Sequence, residues 1–144
     1  MFRSTLRAIV DTHPVFSGTM RAIRDQLDRN AQSFETAWGF SLAGHKQMAQ
    51  GRFEPEETEL IRSMVCDVDV FVNVGANVGY YCLHAFCSGK SVLAVEPIQR
   101  NLHYLLRNIR ENGMEKRAEI YPVALGAECG IADMFGGGGG RVHL

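Results

Sequence analysis

The segment DVDVFVNVGANVGYY, residues 67–81, constrains the fold more than any other part of the chain. Its valine-rich run is too short for a helix and closes on Gly75, and a second glycine, Gly79, follows just before an apolar stretch. That composition reads as a buried parallel strand running through a tight turn into a helix. The helix is expected from about Gly79 to Ser88, with Gly89 as its stop. A second buried strand follows at Ser91–Glu96, SVLAVE, and a third at 118–123, AEIYPV, where Pro122 and the flanking charge mark an edge position. Between them, PIQRNLHYLLRNIRENG gives the clearest helix: Ile98, Leu102, Leu105, Leu106 and Ile109 make one stripe and Gly113 closes it. Parallel strands joined by short crossover helices wind right-handedly. The expected fold is therefore α/β, half of a doubly wound sheet with strand order 3-2-1.

The flanking regions are read from periodicity. Residues 1–50 are expected to form an N-terminal helical segment ahead of a domain half at 51–144. Phe16, Met20, Ile23 and Leu27 recur at helical spacing with Ser17 as a cap. The segment would pack on the domain that follows or cover its site as a lid. A further helix is expected over RFEPEETELIRSMV. Pro55 suits its first turn, Glu54, Glu56 and Glu57 its positive end, and Leu60, Ile61, Met64 and Val65 form its apolar face. Past the third strand the pattern decays into ALGAECGIADMF, a turn and short strand, and then five glycines at 136–140 with no side chain to pack.

Composition removes several function classes. A net charge of −1 supplies no basic field for nucleic acid. No apolar run approaches the roughly 20 residues that span a bilayer, and the N-terminus has no apolar stretch long enough for a signal peptide. No membrane partner and a cytoplasmic location are expected. The cysteines at 66, 82, 87 and 129 form no Cys-x-x-Cys pair and the histidines are scattered, so no metal site is expected. The cysteines should be reduced and mostly buried.

The chemistry lies in the turn. Gly75 ends the first strand and lets a ligand approach bare backbone. Gly79 opens a helix whose free amides and dipole attract a negative group. Glu96 ends the second strand, where a carboxylate can accept both hydroxyls of a ribose. Together they describe a site for a nucleoside-containing cofactor. The dinucleotide fingerprint is not met, because Asn77 stands where backbone would press against a pyrophosphate. A ligand with a carboxylate there instead, S-adenosyl-L-methionine, fits better, and a nicotinamide-dependent oxidoreductase is disfavoured. The bland alternative is that the glycines serve only a tight turn.

The blocks FEPEETELIRSMV, VFVNVGANVGYY, VLAVEPIQRNLHYLLRNIRENG and VALGAECG, in that order over roughly residues 40 to 135, resemble the FkbM-type methyltransferases. The resemblance implies a Rossmann-like, S-adenosylmethionine-dependent enzyme that methylates a hydroxyl of a sugar or other natural product. It implies that Gly75, Ala76, Asn77 and Gly79 line the cofactor's methionine end, that Glu96 holds the ribose, and that Val123 and Ala124 lie near the adenine. Two departures stand out. Asn73 occupies the place of an aspartate that holds the cofactor's amino-acid end. The family also continues past the third strand to an acidic segment on a fourth, so this chain looks truncated after Phe135. A truncated sheet would leave the first strand with an open edge through which the chain self-associates, and would leave a non-catalytic nucleoside-binding remnant as the main alternative. The catalytic residue stays unknown. Tyr80 or Tyr81 could face the cofactor or pack between helix and sheet, Glu54 and Glu57 could reach the pocket or cap their helix, and His84 and His103 sit on helices away from the strand ends.

Overall fold

The computed structural model describes residues 31–131. A short antiparallel hairpin, β1 (Ser33–Glu35) and β2 (Ser41–Ala43), leads through a one-turn helix, α1 (Lys46–Ala49), to α2 (Pro55–Met64). Then come β3 (Val70–Val74), α3 (Tyr80–Cys87), β4 (Ser91–Val95), α4 (Gln99–Glu111) and β5 (Ala118–Tyr121). The last three strands form a parallel sheet in the order β3-β4-β5, with Phe71 opposite Val92 and Val92 opposite Ala118. This is the expected 3-2-1 order, with β5 at an edge and Pro122 just beyond it. Among the described residues β3 has a strand neighbour on one side only.

Two successive right-handed crossovers in one direction place α3 and α4 on the same face of the sheet. Side chains alternate along a strand, so one row of each strand faces the helices. Val92 and Ala94 are 2% and 0% exposed on the helix side. On the other face Val70, Val72 and Val74 remain 53%, 56% and 59% exposed. The composition of β3 suggested burial on both faces; among the described residues one face is covered and the valines point away from it.

Several local expectations are corrected. The helix expected over Phe16–Leu27 lies outside the described residues, and 33–43 form the hairpin instead. Its turn is set by Gly39, at φ 83°, and by Thr36, whose N–H and hydroxyl both donate to the Phe40 carbonyl at 2.9 and 2.7 Å. A left-handed glycine and a hydroxyl bonding back to the backbone favour a turn over helix propagation. In α2, Pro55 and the glutamates sit in the first turn as expected, but the inward face is Thr58, Ile61 and then Val65, while Leu60 and Met64 are 58% and 61% exposed. Only Cys82 is buried; Cys66, Cys87 and Cys129 are exposed, and all four thiols are free. No helix among the described residues is long and apolar enough to cross a membrane.

The helix stripe on α4 also carries a polar member, and its C-cap continues the row. Asn108 is fully buried. Its side-chain oxygen accepts the Ala43 N–H at 2.7 Å, and its amide donates to the carbonyls of Val78 at 2.8 Å and Ala43 at 3.3 Å. One turn later Asn112 treats Ser41 the same way, accepting its N–H at 2.9 Å and donating to its carbonyl at 2.8 Å. Two amides at i and i+4 thus supply the bonds that a neighbouring strand would give to the free edge of β2. Asn108→Ala would leave three buried backbone groups without partners. It should lower the unfolding free energy by at least about 2 kcal/mol, measured by urea denaturation; a loss under half of that would mean water replaces the amide without cost.

Candidate functional site

The site is built on the carboxyl end of the sheet. After β3 the chain folds over the neighbouring strand, and the N–H groups of Gly75 and Ala76 both donate to the Val95 carbonyl, at 2.8 and 3.0 Å. Gly75 has φ 79°, and a Cβ built on it would meet nothing within 4 Å. Its glycine is therefore required by backbone conformation, and the space beside it is open. Asn77 also lies in the left-handed region, at φ 53°. The turn closes with the Gly79 N–H on the Ala76 carbonyl at 2.9 Å. Gly79 caps α3 at φ 87°, and a Cβ there would stand 2.6 Å from Leu105 Cδ1. This glycine serves the close approach of α3 to α4.

Glu96 follows β4 and is 3% exposed. Its Oε2 accepts the Asn77 N–H at 2.7 Å, and its Oε1 accepts the Ile98 N–H at 2.9 Å and the Asn101 amide at 3.2 Å. Its own N–H donates to the Tyr121 carbonyl at 3.1 Å. Three of about four acceptor positions on the carboxylate are used, which makes a buried anion tolerable. The sequence brings Glu96 forward as a ligand group; the structure shows it first as the tie between the loops after β3 and β4. Asn101 and the Ile98 amide were not foreseen, although an asparagine in the first turn after a strand-terminal glutamate is a usable signal.

The remaining sequence candidates divide. Asn73 lies on the helix-facing row of β3 and its amide is 3.3 Å from the Cys82 sulfur, so it turns toward α3. Burial pushes the Cys82 thiol up to about 11, with the Asn73 contact opposing it. Val123 and Ala124 follow β5 at the same end of the sheet and are exposed. His103 is exposed on α4. Tyr80 is 3% exposed and stacks edge-on with Trp38, Phe53 and His84, so it belongs to the core. Tyr81 is half-buried, and its hydroxyl donates to Glu54 Oε2 at 2.6 Å. Burial, then the bond and charge of Glu54, raise the Tyr81 pKa, so it stays a phenol. Glu54 stands at the N-cap of α2 yet its side chain makes no capping bond. The economical reading of Glu54 as a helix cap is therefore corrected: its carboxylate goes to Tyr81.

His84 is fully buried against the rings of Trp38, Phe40 and Tyr80, with Nδ1 3.1 Å from the Arg62 guanidinium. Burial, then the Arg62 charge, lowers its pKa to about 4 from 6.5. It is a neutral core group and takes no part in the turn.

Two solved structures resemble the chain, and the first shares its fold. A SAM-dependent methyltransferase from Agrobacterium tumefaciens superposes with a TM-score of 0.50 at 16% identity, over 64% of this chain and 32% of that one. A proposed transferase from Pyrococcus horikoshii gives 0.46 at 22% identity, over 65% and 36%. The chain thus spans about a third of the length of the structures it matches. No protein-family model and no curated protein matches it. The likeness is one of fold alone: α/β, with part of a doubly wound, Rossmann-like parallel sheet.

Two outcomes follow from the geometry. In Glu96→Gln, one end of the new amide must point an NH2 at an N–H, either that of Asn77 or that of Ile98. The variant should lose about 1–3 kcal/mol of stability in chemical denaturation although its shape is unchanged; an unaltered midpoint would show that the tie is dispensable. The His84 shift sets a pH dependence. Its folded pKa of about 4 lies below the unfolded 6.5, so the unfolded chain binds the proton first. The stability it contributes is complete above about pH 6.5 and declines as pH falls toward 4. Between pH 7 and 5 the parent should lose about 2 kcal/mol that His84→Gln does not lose, read from urea curves at both pH values. Parallel losses in the two proteins would place the titration elsewhere.

Proposed function

We propose that the chain is the cofactor-binding part of an S-adenosyl-L-methionine-dependent methyltransferase. The observation that carries this reading is the pairing of an open, left-handed Gly75 turn with a buried carboxylate at the end of the adjacent strand, bonded directly to that turn through Asn77. The methyltransferase fold of the A. tumefaciens structure supports it. In this reading Gly75, Ala76, Asn77 and Gly79 lie along the methionine end, Asn73 is beside them, the unused acceptor position of Glu96 takes a ribose hydroxyl, and Val123 and Ala124 flank the adenine.

The cofactor supplies a methyl group activated on a sulfonium. The chain's part is positioning. The turn offers backbone at Gly75 without a side chain in the way, and Glu96 holds Asn77 so that the turn does not have to order on binding. Substrate hydroxyl attack is in line with the breaking bond, and a base must take the hydroxyl proton. The neutral, buried His84 is not that base. The finer reading, O-methylation of a sugar or natural-product hydroxyl, rests on the FkbM-type sequence blocks. The activity of the whole protein is part of the same proposal, because the chain covers about a third of the structures it matches.

Calorimetric titration tests the reading. S-adenosylhomocysteine should bind and NAD should not. Gly75→Val forces a β-branched residue to φ 79° and should abolish S-adenosylhomocysteine binding while circular dichroism confirms the fold. Binding of NAD in preference, or full affinity in the valine variant, would overturn the assignment.

A further inference from the structure

Helices α2 and α3 pack in step. Glu54 meets Tyr81, the hydroxyls of Thr58 and Tyr80 are 3.4 Å apart, and Arg62 meets His84. The residue numbers rise together from Thr58 and Tyr80 to Arg62 and His84, so the two helices run parallel. Helix α3 leaves the carboxyl end of β3, and α2 must therefore begin at that same end. This puts Glu54 and Tyr81 on the rim of the Gly75–Gly79 turn although Glu54 lies far from it in sequence.

Charge decides what the pair is for. The amino-acid end of S-adenosylmethionine carries an ammonium and a carboxylate next to the cationic sulfonium, so it is net positive. At the turn itself Asn73 is neutral and directs its amide at Cys82. Glu96 is anionic, but it is buried and three donors already hold it. Glu54 is different. It is exposed, one of its oxygens accepts from Tyr81, and its side chain is released from helix capping. Its backbone sits at φ 41°, a conformation that costs a glutamate energy and aims its side chain off the helix axis toward α3.

We propose that Glu54, oriented by the Tyr81 hydroxyl, is the anionic group that receives the ammonium of the cofactor's amino-acid end. The inference rests on the cofactor reading above and extends it to a residue outside the strand–turn–helix motif. Tyr81 acts as a positioning residue: its phenol fixes one carboxylate oxygen and leaves the other for the ligand.

The test compares two ligands on the 144-residue chain. S-adenosylhomocysteine has the amino-acid end, and methylthioadenosine has the same nucleoside and thioether without it. Glu54→Gln should weaken S-adenosylhomocysteine about tenfold or more, the size of a lost charge-assisted contact, and leave methylthioadenosine unchanged. Tyr81→Phe should give a smaller loss with the same selectivity. Glu54→Gly suits the positive φ without strain, so its melting temperature should not fall, and the selective loss should remain. Equal losses for both ligands, or full S-adenosylhomocysteine affinity in either Glu54 variant, would overturn the proposal. If the parent chain binds neither ligand, the cofactor reading itself fails and takes this proposal with it.

Discussion

A single buried carboxylate organises the end of this sheet that bears the candidate site. Glu96 is held by donors from two loops, and its own amide bonds to the end of β5. A buried anion is stable only when its acceptor positions are filled. Here two of the filling groups are backbone amides that the turns would otherwise leave unpaired, so each side of those contacts satisfies the other, and the third is the Asn101 side chain. The turn after β3 inherits its shape from this arrangement. Asn77 adopts a left-handed backbone conformation rare for a side-chain-bearing residue and donates to Glu96 from it. The same residues therefore explain why the turn is ordered, and the proposed cofactor would meet it with little further ordering.

The second support is the contact between α3 and α4. Gly79 lets Leu105 approach to a distance no Cβ would allow, and one turn further along α4 Asn108 reaches the Val78 carbonyl. Asn108 also carries the edge of β2. The hairpin, the turn and helix α4 are thus linked through one buried amide. Farther along, Arg107 and Glu111 close the same region by bonding each other at 2.6 Å and by both bonding Ser33 in β1.

The legible part of this architecture was the part with strong periodicity or a glycine at a fixed place. The three parallel strands, their order, the helix over 99–111 and the turn from Gly75 to Gly79 can all be read from residue pattern, because valine-rich runs and left-handed glycines have few alternatives. The hairpin was not legible. Its strands are three residues each, and its free edge is completed by Asn108 in α4 and Asn112 just after it, 65 and 71 positions away in sequence. Asn108 and Asn112 look like ordinary polar positions until a strand edge is placed beside them. Glu96 was legible as a strand-terminal acid but not as a structural tie, since two of its three donors are backbone groups that have no sequence signature. Glu54 could be read as a cap or as a pocket group, because glutamate at a helix start has a common sequence role while its contact with Tyr81 is created only by the packing of α2 on α3.

The two faces of the sheet carry different duties. Every polar group assigned to the site, from Asn73 and Asn77 to Glu54 and Tyr81, belongs to the helix-covered side or to the loops at the carboxyl end. The open face carries Val70, Val72 and Val74, which are apolar and exposed. Hydrophobic burial on the covered side is what fixes α2 against α3, and that contact in turn sets where Glu54 stands relative to the turn. The valines on the open face add nothing to that placement. Their exposure affects how the sheet meets other surfaces, whereas the proposed cofactor site is built on the covered face and on the amides and carboxylates it holds at its rim. The chemistry of the site and the unsatisfied hydrophobicity of the sheet are therefore physically separate properties of the same three strands.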